Sequence, residues 1–354
     1  MTDLTVLREA RAGRARREAL ARRARRRRRV LRAGLGAVAG LLALLVLMAS
    51  GASGPAAHTA PGRSAPSAPG RSAGSNLAGG ARTAAATVSR PPPRSGYGVA
   101  LAPQPLHIKL ALPVTSALLF DVDSGRVLWE RASQRLLPIA SLTKMMTALV
   151  VVAHARREAR VLITRTAVDF SGSGVGLLPL GRAVPLETLL YGLMLPSGND
   201  AAIALSQHVA GTQGTFIAMM NARARAMGLR CTHFTTVSGI VDQGNHSCAG
   251  DLAIIAHAVL EQPLLARIVG TRSAVLPFPI KGGKLYLYNN NPLLRLGYPG
   301  ADGVKTGYTT AAGPCLVATA RRGRRWLGVV LLHSANPSDQ AQALLGAGFG
   351  APRE

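Results

Sequence analysis

Hydrophobic positions fall along this chain in two regimes. Residues 33–49 read AGLGAVAGLLALLVLMA, with no charge and no proline, whereas beyond residue 104 short apolar runs are broken by polar, Gly and Pro positions. In the second regime, residues 117–123 and 126–130 flank Ser124-Gly125 and predict two strands joined by a tight turn. Apolar residues at helical spacing predict helices over 145–152, 186–195 (closed by Pro196), 200–209 and 216–227 (stopped by Gly228). Near the C-terminus, the apolar runs 315–320 and 326–332 lie on either side of RRGRR (321–325), a hairpin signal. Strands at both ends with helices between predict an α+β domain over 104–354, its two ends meeting in one antiparallel sheet.

The uniform stretch has a different meaning. Seventeen apolar residues lie at the short end of a membrane span, which takes about 17–25. They exceed the roughly 7–15 residues of a signal-peptide core, which favours an uncleaved signal-anchor over 33–50 rather than cleavage after Ala49-Ser50-Gly51. Residues 1–32 carry thirteen Arg against Asp3, Glu9 and Glu18, so positive charge precedes the span. That bias predicts a basic cytoplasmic segment over 1–32 and an extracytoplasmic location for everything beyond residue 50. Each basic residue near anionic headgroups contributes about 1 kcal/mol, so the Arg run is explained by the membrane and no nucleic acid is expected as a partner. Residues 51–103, rich in Ala, Gly, Ser and Pro, bury too little apolar surface to offset their ordering entropy and are expected to form a disordered linker.

Three short motifs in the folded domain carry chemistry. Ser141-Leu142-Thr143-Lys144 puts a hydroxyl and an amine three apart at a helix start, on one face and within hydrogen-bond reach. A lysine whose pKa is lowered by burial or nearby cations can take the serine proton, and the helix N-terminus favours a developing oxyanion. Ser197-Gly198-Asn199 lies in the break between two helices, where Ser197 can approach Lys144 and pass a proton to a leaving nitrogen, and Asn199 can bond a substrate amide. Lys305-Thr306-Gly307 offers a cation and a hydroxyl side by side at a strand edge, suited to a carboxylate, with Gly307 allowing close backbone approach. Each motif alone is common: a lone Ser-x-x-Lys is most often a capping serine beside a solvated lysine. All three in this order, 56 and 108 residues apart, form the combination found in penicillin-binding proteins and serine β-lactamases.

The neighbourhoods sharpen the resemblance. ASLTKMMTAL (140–149), LLYGLMLPSGNDAA (189–202) and DGVKTGYT (302–309) are similar to the low-molecular-mass penicillin-binding proteins, the serine D-alanyl-D-alanine carboxypeptidases that trim bacterial peptidoglycan. The similarity covers roughly residues 114–349. It implies a helical subdomain packed on a five-stranded antiparallel sheet, with the site in the cleft between them. It further implies Ser141 as nucleophile, Lys144 as base, Ser197 as relay and Asn199 as a substrate contact. Lys305 and Thr306 with Gly307 would hold the terminal carboxylate, and the backbone N–H groups of Ser141 and Tyr308 would form the oxyanion hole. Peptidoglycan stem peptides are the implied substrate and β-lactams the implied covalent inhibitors, with no metal or cofactor.

The chain departs from the family at Thr236-Val237-Ser238-Gly239 and at Ser247-Cys248-Ala249, segments expected to stay clear of the three motifs. Many relatives carry a further C-terminal β-domain and amphipathic anchor; here the chain stops soon after Phe349, and the N-terminal span is expected to replace that anchor. A β-lactamase would need a carboxylate to activate the deacylating water, typically in an E-x-x-L-N stretch. The closest match, EQPLL (261–265), lacks the Asn, which counts against that reading. A DD-endopeptidase would use the same residues. A silent wall-binding module, drawn to acidic peptidoglycan by the domain's positive charge, leaves the intact Ser141, Lys144 and Lys305 without a use. Cys231 and Cys248 fit either a disulfide or two buried thiols, with Cys315 left over.

Overall fold

The two ends of the folded region meet as neighbouring strands. The computed structural model describes residues 98–99 and 106–352, apart from 177 and 281. The predicted basic segment, the span 33–50 and all of the predicted linker except residues 98–99 lie outside the described residues. Five strands, β1 (Val114–Asp121), β2 (Val127–Arg131), β3 (Ala301–Thr309), β4 (Gly313–Arg322) and β5 (Arg325–Ser334), form one antiparallel sheet in the order β2-β1-β5-β4-β3. Val114 sits opposite Ser334 and Asp121 opposite Leu327, so β1 is zipped along the last strand.

Both faces of this sheet are covered, which is why its central strands read as continuous apolar runs instead of alternating. Leu118, Phe120, Val317, Val330 and Leu332 pack into the helical layer. Ala117, Leu119, Leu316, Ala318, Val329 and Leu331 pack with Leu344 and Leu345 of a C-terminal helix, Pro337–Gly350. Each fully buried Leu or Phe contributes about 1.5–3 kcal/mol. At the far end, the hairpin arginines serve the fold: Arg321 stacks on Trp326 at 4.0 Å, and Arg322 lies over Tyr298 and Phe349 at 4.8 and 4.5 Å.

The helical layer contains α1 (Lys144–His154), α2 (Leu186–Met194), α3 (Asn199–Ala210), α4 (Gln213–Ala226), α5 (Ala249–Leu260) and α6 (Pro263–Gly270). Helix α1 is buried on every side from Lys144 to Val151 and touches α2, α3, α4 and α5. A helix apolar all round belongs in the middle of its layer, and this one takes Lys144 there with it. No single helix among the described residues is long and apolar enough to cross a membrane.

The five-stranded sheet and the four expected helices are present with ends displaced by a few residues. Beyond those four, the described residues hold the short helices Arg165–Val168 and Pro292–Leu296 and three longer ones that the pattern does not announce. Helix α5 (AGDLAIIAHAVL) has little amphipathic contrast, and α6 follows it after a two-residue break. Helix Pro337–Gly350 is dilute in large apolar residues, yet its start was signalled: Asn336 caps it by accepting from the Asp339 amide, and Pro337 occupies the first turn. The hairpin Ser273–Pro277 with Lys284–Tyr288 was also missed. Cys231 and Cys248 are joined as a disulfide, and Cys315 is free and buried.

Candidate active site

Ser141 lies in a 3₁₀ turn, Ala140–Thr143, that runs directly into α1, so Lys144 is the first residue of the α-helix. Ala140, just before the serine, has φ +48°, a left-handed conformation that costs a non-glycine residue about 1–3 kcal/mol. The turn is braced: Thr143 Oγ1 donates to Ala140 O at 2.8 Å and accepts from Asn245 Nδ2 at 2.9 Å.

Lys144 Nζ is 2.9 Å from Ser141 Oγ, 2.7 Å from Asn199 Oδ1 and 2.7 Å from the backbone oxygen of Ser238. The two carbonyl oxygens can only accept. A neutral amine therefore spends both its N–H bonds on them and turns its lone pair toward the Ser141 hydroxyl, the arrangement a base needs. Electrostatics favour that neutral form. Burial pushes the Lys144 pKa well below the usual lysine range, Lys305 lowers it further, and Asp200 partly opposes the shift.

Asn199 opens α3, and its amide is committed to the protein at both ends: Oδ1 accepts from Lys144, and Nδ2 donates to Ser171 O at 2.6 Å. Asn199 keeps a second Nδ2 hydrogen that neither bond uses, which a substrate amide can accept. It orients the lysine and ties the loop around residues 171–176 to the site. Asp200 completes that tie, accepting from the Val175 amide at 2.9 Å.

Ser197 has φ +69°, and its Oγ is buried with no hydrogen-bond partner among the described residues. The relay contact with Lys144 is not formed, because the lysine's three directions are taken by Ser141, Asn199 and Ser238.

Lys305, Thr306, Gly307 and Tyr308 lie on the edge strand β3. Lys305 is buried, its Nζ donates to Thr306 O at 3.0 Å, and burial lowers its pKa to about 7. Gly307 does allow close approach, but to the protein's own chain: a Cβ there would lie 3.0 Å from Ile139 O and 3.2 Å from Ser141 N. Strand β3 therefore crosses the Ser141 turn at contact distance. The Tyr308 side chain points into solvent, 68% exposed.

The segment 236–239 was expected to stay clear of the motifs, and it does not. Ser238 O holds Lys144, Val237 O accepts from Thr147 Oγ1 at 2.7 Å, and Gly239 is pressed so closely on Ala140 O that no side chain fits. These contacts are long-range and come from backbone carbonyls, which residue type does not reveal. The one local signal was the glycine itself: its φ of +75° is a conformation that only glycine adopts freely.

Residues 103–336 match the D-alanyl-D-alanine carboxypeptidase family. The chain belongs to that family. Among its members, the D-alanyl-D-alanine carboxypeptidase DacB2 of Mycobacterium tuberculosis is 37% identical over 245 residues, covering 67% of this chain and 82% of the relative. The carboxypeptidase DacF of Bacillus subtilis is 33% identical over 237 residues, covering 66% of this chain, and the chain spans only 60% of that relative's length. Two solved structures have the same fold. A D-alanyl-D-alanine carboxypeptidase from M. tuberculosis superposes with a TM-score of 0.66 at 34% identity, covering 72% of this chain and 98% of its own. A Streptomyces DD-transpeptidase gives 0.65 at 31%, covering 69% and 100%. The sheet-and-helix architecture is therefore one this chain shares with members of the carboxypeptidase family.

Proposed function

We propose that the protein is a serine D-Ala-D-Ala carboxypeptidase that removes the terminal D-alanine from peptidoglycan stem pentapeptides. The observation that carries this reading is the buried amine of Lys144, 2.9 Å from Ser141 Oγ with its other two directions held by carbonyls. In the proposed reaction Ser141 Oγ attacks the carbonyl between the two D-alanines as its proton passes to Lys144 Nζ. The oxyanion rests on the backbone N–H groups of Ser141 and Tyr308, where losing one donor costs about 3 kcal/mol. Pro314, opposite Tyr308 in the ladder, has no N–H to give, which suits a pair whose amides point away from each other and supports an outward Tyr308 N–H. The C–N bond breaks as the proton on Lys144 Nζ returns to the departing D-Ala amine by way of Ser197, whose hydroxyl meets the lysine with substrate bound and gains one proton as it gives one up. Water then hydrolyses the acyl-enzyme, freeing the shortened peptide and Ser141. Lys305 and Thr306 hold the terminal carboxylate, whose negative charge restores the lysine's cationic form. β-Lactams would acylate Ser141 by the same attack.

In this reading residues 33–50 anchor the chain in the cytoplasmic membrane as a single-pass helix, with 1–32 inside. Residues 51–103 tether the catalytic region, 104–354, on the cell-wall side. A second reading, DD-transpeptidation, is favoured by the Streptomyces DD-transpeptidase, whose whole chain is matched.

Incubating the full chain and its Ser141→Ala variant with pentapeptide, with and without an amino acceptor, separates these by mass. Loss of one alanine, absent in the variant, supports the carboxypeptidase; transfer to the acceptor supports the transpeptidase. Cleavage of cross-linked dimers would make it an endopeptidase, and inert pools would end the enzymatic reading. Protease accessibility in intact spheroplasts tests the topology, since a catalytic region protected from external protease would refute it.

A further inference from the structure

The chain between Cys231 and Cys248 reaches the site at four points. Ser238 O holds Lys144, Val237 O holds Thr147, Asn245 Nδ2 donates to Thr143 Oγ1, and Asp242 Oδ1 accepts from Thr309 Oγ1 at 2.8 Å. The first three contacts fall on the nucleophile turn and α1, the fourth on β3, so this loop bridges both walls of the cleft. Its only strand is the two-residue His246–Ser247, and its tip carries the exposed apolar side chains of Ile240 and Val241. Such a loop keeps its shape through its ends. At its base, Asp251 on α5 accepts from Cys231 N and Thr232 Oγ1, both at 2.7 Å, and His233 and His246 exchange backbone bonds. The disulfide is the covalent part of that base.

We propose that the Cys231–Cys248 disulfide is a positioning clasp for Lys144, and that opening it slows acylation of Ser141. The inference rests on the reading of Ser141 as nucleophile and Lys144 as base. A dithiol reductant opens the bond: each sulfur gains an electron and a proton, and the reductant closes to its own disulfide. The freed ends relax a loop whose grip on Lys144 is a single backbone carbonyl. The charged groups facing Lys144 are Lys305 from β3, which opposes its protonation, and Asp200 from α3, which favours it. Residues 236–241 add no titratable group, and Asp242 is engaged with Thr309. Water admitted past a relaxed loop relieves the desolvation of the amine, so the lysine holds its proton to higher pH.

The test compares the oxidised full chain, the dithiothreitol-reduced chain and the Cys231→Ser/Cys248→Ser variant, following labelling by a fluorescent penicillin across pH. Alkylation mass verifies the two thiols. Reduced and variant proteins should label roughly tenfold or more slowly, as small misplacements of reacting groups do, with the rise in rate moved to higher pH. Reoxidation should restore the rate. An unchanged rate overturns the clasp, and a slower rate with an unmoved pH midpoint overturns its action through Lys144. Unfolding on reduction makes the disulfide a support of the whole domain and overturns the local role. If neither form labels, the nucleophile reading fails instead, and amide exchange of residues 236–245 then decides: faster in the reduced form upholds the clasp, unchanged refutes it.

Discussion

The backbone oxygen of Ser238 and the amine of Lys144, 94 residues apart, are joined by a 2.7 Å hydrogen bond. With Asn199 Oδ1 as a second acceptor, it leaves the lysine one direction to face Ser141, and that direction is the reactive one. Burial supplies the driving force for the neutral form, and the two carbonyls supply its orientation.

Lys144→Arg should abolish acylation while keeping the charge. Arginine cannot be neutralised in a protein, so the base is lost, and general-base contributions of this kind are worth roughly 10²–10⁴-fold. Labelling by a fluorescent penicillin reads the effect; an arginine variant that labels at more than a tenth of the original rate contradicts the assignment of the base.

Lys305 links pH to stability and to binding. Its pKa is about 7 in the folded chain, against about 10.4 for an ordinary lysine. Between these values the unfolded chain binds a proton that the folded one does not, so stability rises with pH across that window. Below about 7 both states are protonated and the folded state bears the full desolvation penalty. Lys305→Met should flatten the rise, as read by thermal unfolding at successive pH values. A carboxylate ligand should raise the lysine's pKa again and draw in protons at pH 7–9; calorimetry in buffers of different ionisation heat measures that uptake, and its absence contradicts the clamp.

Gly239→Ala and Gly307→Ala should fail in different ways. Gly239 has φ +75° and a backbone oxygen in the place of a side chain, so alanine there adds about 1–3 kcal/mol of backbone strain and a steric overlap. Lower unfolding temperature and slower acylation should appear together. At Gly307 the new Cβ meets Ile139 O and Ser141 N at 3.0 and 3.2 Å, so β3 must shift by a few tenths of an ångström. Acylation should drop by roughly tenfold or more with little loss of stability. Equal unfolding shifts in the two variants would go against this distinction.

Ser197→Ala should separate stability from activity. Its Oγ is buried without a partner among the described residues, so removing it relieves a desolvation cost of about 1–3 kcal/mol, and the ligand-free protein should be as stable or more so. Turnover of pentapeptide should fall, since the departing amine loses its proton donor. A variant with full turnover would remove Ser197 from the reaction.

Much of this protein was legible before folding. The helices at 145–152 and 186–195, the hairpin around RRGRR and the three motifs are local: each depends on residues within a few turns or on one strand period. The element pattern and the motif neighbourhoods pointed to the α+β fold, and the motifs singled out Ser141, Lys144 and Lys305 as the groups to look for. What the chain could not reveal by itself were the partners that reach across it. The carbonyl of Ser238 against Lys144, the closeness of Gly239 to Ala140, the commitment of Asn199 to the lysine and the closing of Cys231 on Cys248 are contacts between distant segments. Several come from backbone atoms that every residue carries alike. The sequence determined which side chains could react; packing α1 into the middle of its layer, with β3 and the 231–248 loop against it, decided that Lys144 is desolvated and aimed at Ser141.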